Sequence, residues 1–113
     1  MEKTLFEKII DRDIPAEIVY EDDLSLVFKD INPQAPIHLL IIPKTCIKKL
    51  SDASLEHQNI LGHLMLVAGK VARNLGCEEA FRLVVNNGAN AQQTVFHLHL
   101  HLLAQRDFSW PPG

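Results

Sequence analysis

A chain of 113 residues has the length of one compact domain. Its 47% hydrophobic and 22% charged residues are ordinary for a soluble globular protein and supply one core without disulfide staples. The formal charge of −3, with histidines neutral, argues against a nucleic-acid polymer or an acidic membrane as partner, but not against a small phosphorylated ligand.

Two cysteines, Cys46 and Cys77, stand in no metal or redox spacing and read as free thiols of a reducing compartment. Met1-Glu2-Lys3-Thr4 lacks the apolar stretch of a signal peptide, and no run approaches membrane-spanning length. A cytoplasmic location and a single domain over residues 1–113 are expected. The chain shows no internal repeat, linker or low-complexity segment.

Residues 4–11 carry Leu5, Phe6, Ile9 and Ile10 at helical spacing, with Thr4 as N-cap and Pro15 beyond the end. Residues 17–21 and 24–30 read as two strands joined at Asp22-Asp23. Pro33 and Pro36 make the next segment a loop. Residues 37–43 are a nearly continuous apolar run of strand length, hence a central strand whose one polar member is His38. Over residues 55–75, Ile60, Leu61, Leu64, Val67, Ala68, Val71 and Leu75 mark a long amphipathic helix. Ser51 or Ser54 caps its start, and Gly76 supplies a left-handed residue after its end. Residues 81–86 read as a strand, 87–93 as a polar loop with Gly88, and 96–103 as the last strand. Trp110-Pro111-Pro112-Gly113 cannot be helical. Two helices and about five strands without regular β-α alternation predict the α+β class, an antiparallel sheet with the long helix on one face.

The last strand, Phe-His-Leu-His-Leu-His-Leu-Leu, holds three of the six histidines. Strict alternation sends His97, His99 and His101 to one face and Leu98, Leu100 and Leu102 to the other. A helix would scatter both sets. The leucines belong under the long helix, which leaves a row of imidazoles on the opposite, more open face. His38, on a neighbouring strand, joins them. Neutral imidazole is a nucleophile, a proton carrier and a metal ligand near pH 7. Adjacent rings disfavour full protonation of the row, so a mixture of neutral and charged rings is expected. The polar loop before the row turns backbone N–H groups toward an anion, with Thr94 adding a hydroxyl. A zinc site is the main rival, since histidines at alternate strand positions can ligate zinc. His57 and His63, on the long helix, read as surface or interface residues.

The run His97-Leu98-His99-Leu100-His101-Leu102-Leu103 resembles the histidine triad motif, His-φ-His-φ-His-φ-φ with φ apolar. The likeness extends through Phe6-Glu7-Lys8-Ile9-Ile10, Phe28-Lys29-Asp30-Ile31-Asn32-Pro33-Gln34-Ala35-Pro36, Gly62-His63-Leu64-Met65 and the terminal Trp-Pro-Pro-Gly. Together these resemble the Hint branch, the histidine triad nucleotide-binding proteins. The resemblance implies a homodimer with one continuous antiparallel sheet, a purine nucleoside monophosphate site in each subunit, and hydrolysis of purine nucleoside phosphoramidates. By position, His99 matches the nucleophile, with His101, His97 and His38 as its catalytic neighbours. Asp30 matches the residue that holds the ribose. Phe6, Ile9, Phe28, Ile31 and Leu40 match the purine and ribose pocket. Asn86, Gln93 and Thr94 match the groups around the phosphate. Neither a cofactor nor a metal is expected.

Two departures stand out. Pro43-Lys44-Thr45-Cys46 replaces the family's frequent Pro-Lys-Lys-His, and Gln92 stands where a glycine usually precedes the Gln-Ser or Gln-Thr pair. The missing glycine is expected to alter the backbone at the phosphate. The alternatives are hydrolysis of dinucleoside polyphosphates, as in the Fhit branch, against which the Trp-Pro-Pro-Gly tail argues, and a non-catalytic nucleotide- or zinc-binding interaction protein.

Overall fold

The structure, a computed structural model, describes residues 2–113. Met1 lies outside them, and with it the first residue of the expected domain and leader-free segment.

Helix α1 spans Leu5–Ile10. Thr4 caps it reciprocally: its hydroxyl oxygen accepts from the Glu7 N–H at 3.1 Å, and the Glu7 carboxylate accepts from the Thr4 N–H at 2.8 Å. Five strands follow the expected order: β1 (Ile18–Glu21), β2 (Ser25–Lys29), β3 (Ile37–Pro43), β4 (Phe81–Val84) and β5 (Leu100–Ala104). They form one antiparallel sheet ordered β1-β2-β3-β5-β4. Helix α2 spans Gln58–Asn74, and its expected first turn, Leu55–His57, is a tight 3₁₀ turn instead. Gly76 ends the helix with φ of 74°, the left-handed residue expected there. Among the described residues, no helix is long and apolar enough to cross a membrane.

The last strand is shorter than its alternation predicts, for a physical reason. Ile41 pairs with Leu100. One ladder step further would set Leu98 against Pro43, which has no N–H to give. The Leu98 N–H instead donates to the Ile47 carbonyl at 2.6 Å. His97 and His99 therefore precede the ladder. Strand β4 stops at Val84, opposite His101.

Side-chain alternation nevertheless persists through the unpaired residues. Leu98, Leu100 and Leu102 are buried with Val27, Leu39 and Ile41 under Leu64, Val67, Ala68 and Val71 of α2. That helical stripe covers the centre of one sheet face. On the other face α1 packs Phe6 and Ile9 against Leu26, Phe28, Leu40 and Ile42. A helix of six residues cannot cover a whole sheet, and the uncovered part becomes a cleft.

Two loops are fixed by side chains. Asp22 closes the β1–β2 turn. One of its oxygens accepts from the Leu24 N–H (2.9 Å), the Ser25 N–H (2.7 Å) and the Ser25 hydroxyl (2.9 Å). The other takes the Tyr20 hydroxyl at 3.0 Å and meets His63 of α2 at 2.8 Å. Burial pushes this carboxyl up. The His63 bond, the Leu24 N–H and the two hydroxyls outweigh burial and hold it well below its ordinary value of 3.8. Before β5, Gln92 itself adopts the left-handed conformation, φ 71° and ψ 28°. Glutamine thus holds a conformation that glycine adopts freely, and bears the strain of it.

Asp22→Ala leaves several donors unanswered and should cost about 3 kcal/mol in denaturant unfolding. Because the native carboxyl is depressed, its stabilisation is complete above pH 3.8 and disappears as acid reaches its lower native value. The gap between wild type and variant should therefore close in acid. Gln92→Gly should raise the stability by up to about 1 kcal/mol, because the relieved strain exceeds the entropy added to the unfolded chain. A loss of stability would show that the glutamine side chain earns its place.

Candidate active site

The imidazole row is not on an open surface. His97 is 0% exposed, and His99 and His38 are 6% exposed each. Helix α1 is the lid: the Phe6 ring meets His99 edge-on at a centroid distance of 5.0 Å and His97 at 5.9 Å. Only His101 remains half-buried.

Burial pushes all four rings toward the neutral form. In His97 and His99 this outweighs the carbonyls that accept from them, and in His38 it outweighs Asp30. His101 is pushed down to about 4, first by burial and then by its neighbours His99 and His38. The expected mixture of charged and neutral rings is thus replaced by four neutral rings near pH 7.

A neutral imidazole carries one N–H and one lone pair, so a partner at one nitrogen decides the other. The His99 Nδ1–H donates to the His97 carbonyl at 2.7 Å, which leaves the lone pair on Nε2. The His97 Nε2–H donates to the Pro43 carbonyl at 2.7 Å, and its Nδ1 lies 3.4 Å from the Thr4 hydroxyl. His38 Nδ1 accepts from the Gln34 N–H at 3.0 Å, so its hydrogen is on Nε2. That hydrogen points to His101 Nδ1 at 2.9 Å, with the Asp30 carboxylate 3.4 Å away. His101 accepts at Nδ1 and therefore carries its own hydrogen on Nε2. The ring centroids of His99 and His101 are 5.0 Å apart. A nucleophilic lone pair thus stands beside an N–H donor.

Both rings border a cleft of about 320 Å³, at the small end of ligand sites. Phe6, Ile9, Phe28 and Leu40 give it apolar walls, while Asp30 and Thr94 give it polar ones. Ile31 lies at its rim, 99% exposed. Asp30 accepts from the Asn32 N–H at 2.8 Å through one oxygen.

Two residues named beforehand lie elsewhere. Asn86 does not line this cleft. Gln93 is 2% exposed, and its amide is committed to the backbone. It accepts from the Gly88 N–H at 2.7 Å and donates to the carbonyls of Lys48 (2.7 Å) and Val95 (3.1 Å). It shapes the loop from behind. The sequence reading missed Leu5, Ile14, Pro15, Ala16, Lys29 and Val95 in the cleft walls, together with the Gln34 N–H and Pro43 carbonyl that fix two rings. The apolar run around Ile14 signals such a wall, but backbone partners leave no trace in residue type.

Residues 11–108 match the family model described as HIT domain. The chain is 49% identical over 112 residues to a 14 kDa zinc-binding protein of Zea mays, covering 97% of this chain and 88% of that protein. A crystal structure of a HIT family hydrolase from Legionella pneumophila superposes with a TM-score of 0.96 at 45% identity, covering 98% of this chain and 100% of the other. A histidine triad nucleotide-binding protein from Candida albicans gives a TM-score of 0.85 at 31% identity, covering 98% and 85%. Family match, shared fold and histidine row agree: the chain belongs to the HIT domain family.

Proposed function

We propose that this protein is a purine nucleoside phosphoramidase that acts through a nucleotidyl-histidine intermediate. The observation that carries this reading is the hydrogen bonding of the two cleft histidines: the partners at Nδ1 of each assign the lone pair to His99 Nε2 and the hydrogen to His101 Nε2. The names of the Legionella hydrolase and the Candida nucleotide-binding protein support hydrolysis and nucleotide binding in general. The resemblance to the Hint branch supports the finer choice of substrate.

The purine lies among Phe6, Ile9, Phe28 and Leu40, with Ile31 closing on it from the rim and Asp30 accepting from the ribose hydroxyls. His99 Nε2 attacks the α-phosphorus. The P–N bond breaks, and the substrate nitrogen, protonated on entry, leaves as a neutral amine with the bonding pair. The positive charge on the His99 ring is met by the His97 carbonyl that already accepts its Nδ1–H. The His101 N–H and the Thr94 hydroxyl hold the non-bridging oxygens. Water then takes the phosphoryl centre, His99 returns neutral, and a proton passes to solvent. No cofactor enters, and a cytoplasmic location fits two free thiols, Cys46 and Cys77.

A metal reading deserves weighing, because Asp30, His38 and His101 offer ligand atoms within 4.8 Å of one another. The donor set suits zinc in kind. Its hydrogen bonding does not. The facing His38 and His101 nitrogens are 2.9 Å apart, whereas two nitrogens on tetrahedral zinc stand about 3.3 Å apart. To ligate through Nε2, His38 would need its hydrogen on Nδ1, against the Gln34 N–H. The arrangement is built for a shared hydrogen.

Adenosine 5′-phosphoramidate should turn over faster than diadenosine polyphosphates, and exhaustive chelation should leave the rate unchanged. Loss on chelation with recovery on zinc would promote the metal reading. His99→Ala should cut turnover by several orders of magnitude while nucleotide binding survives. Mass spectrometry of quenched wild type should place a nucleotidyl adduct on the peptide containing His99. Because burial lowers the affinity of these rings for protons, the His99 lone pair should persist into acid, and a pH–rate profile should lose activity through this ring only below the ordinary imidazole value of 6.5.

A homodimer is part of the same proposal. Strand β4 is an open sheet edge, and Leu66 and Trp110 are 75% and 82% exposed. A second copy pairing along β4 would continue the sheet and cover them. Sedimentation at micromolar concentration should give a dimer, and a monomer there would remove this part.

A further inference from the structure

We propose that Arg106, outside the cleft, is a positioning residue that sets the protonation pattern of His38 and His101 by tethering the loop of residues 31–36. The inference deepens the phosphoramidase reading and rests on it for its link to rate.

The His101 N–H faces the cleft only because the His38 hydrogen sits on Nε2, and that hydrogen sits there only because the Gln34 N–H occupies Nδ1. Everything therefore depends on where the loop holds Gln34. The loop is poorly able to hold itself. Pro33 and Pro36 have no N–H. Its internal bonds are short-range: Asn32 N–H to Asp30, and the Gln34 side-chain amide to the Asn32 carbonyl at 3.0 Å.

Among the described residues, one hydrogen bond ties the loop to the chain beyond His38. The Arg106 Nε–H donates to the Gln34 carbonyl at 2.9 Å, across 72 positions of sequence. An exposed arginine is normally mobile, but this one is held on three sides. One terminal nitrogen donates to the Asp107 carbonyl at 3.1 Å, and the guanidinium stacks 4.4 Å from the Phe108 ring centroid. Phe108 also carries Arg82, at 4.8 Å, whose guanidinium donates to the Ser109 carbonyl at 3.0 Å. The residue before Arg106, Gln105, is left-handed with φ of 70°. Strain of that kind persists where surrounding contacts over-determine it. Here it turns the chain leaving β5 back toward the loop. A side chain fixed this firmly transmits position: Arg106 holds Gln34, Gln34 fills the His38 lone pair, and His38 fills that of His101.

The test reads the rings directly and does not require turnover. Long-range ¹H–¹⁵N spectra of the wild type should show His38 and His101 with hydrogen on Nε2 and His99 with hydrogen on Nδ1. Arg106→Met keeps the stack on Phe108 but removes the donor. It should move His38 to a mixture of tautomers and speed exchange of the Gln34 amide at least tenfold. With adenosine 5′-phosphoramidate it should lower kcat about tenfold with KM within twofold, and Arg106→Lys, which can still donate, should restore most of both. Phe108→Leu removes the stack and keeps the donor, and should move the ring spectra and the Gln34 exchange in the same direction as Arg106→Met, but by less. Unchanged ring spectra and Gln34 exchange in Arg106→Met would overturn the proposal, as would a larger effect from Phe108→Leu than from Arg106→Met. If the rings shift as stated while His99→Ala keeps its turnover, the tether stands and the nucleophile reading falls.

Discussion

A neutral imidazole has one hydrogen to place on two nitrogens, and four such rings meet at the cleft of this protein. Burial keeps them neutral, so each must match its partners with a single N–H and a single lone pair. Three of the partners are backbone groups: the carbonyls of His97 and Pro43 and the N–H of Gln34. A backbone carbonyl cannot donate and a backbone N–H cannot accept. The polarity of the main chain therefore fixes which cleft-facing nitrogen is a lone pair and which is a hydrogen. The two carbonyls become available because the β3–β5 ladder ends at the Ile41–Leu100 pair, short of Pro43, leaving the chain around His97 and His99 outside the sheet.

The two faces of the sheet meet different demands. The α2 face is an apolar layer built from the helix stripe and the leucines of β5. The α1 face is only partly covered, and its helix contributes both lid and wall through Phe6. One hydroxyl, that of Thr4, caps the helix and also approaches His97. Placement of the lid and placement of the histidines are thus joined at a single residue.

Much of this was legible in residue order. Alternation of histidine and leucine assigns faces whatever the ladder does, because the period of an extended chain does not depend on pairing. The apolar run holding His38 reads as a central strand, and Thr4 and Gly76 read as helix ends for stereochemical reasons. The end of β5 was not legible, because it depends on which residue of β3 lies opposite, and register is a tertiary fact. Nor was the charge of the row, since burial comes from α1, distant in sequence. Gln93 shows the same limit: an amide in a polar loop suggests a ligand contact, and only the fold reveals that Lys48 and Val95 claim it.

The alternation around Leu100 also has an evolutionary consequence. Odd positions from 97 to 101 face chemistry and even positions face the core, so point substitutions can retune one without repacking the other. A single-residue deletion anywhere in this run has no such freedom, because it exchanges the faces beyond it. It would drive imidazole under α2 and leucine into the cleft at one stroke. Descendants of this chain can therefore explore new reactions by replacing letters here, and are barred from doing so by losing one.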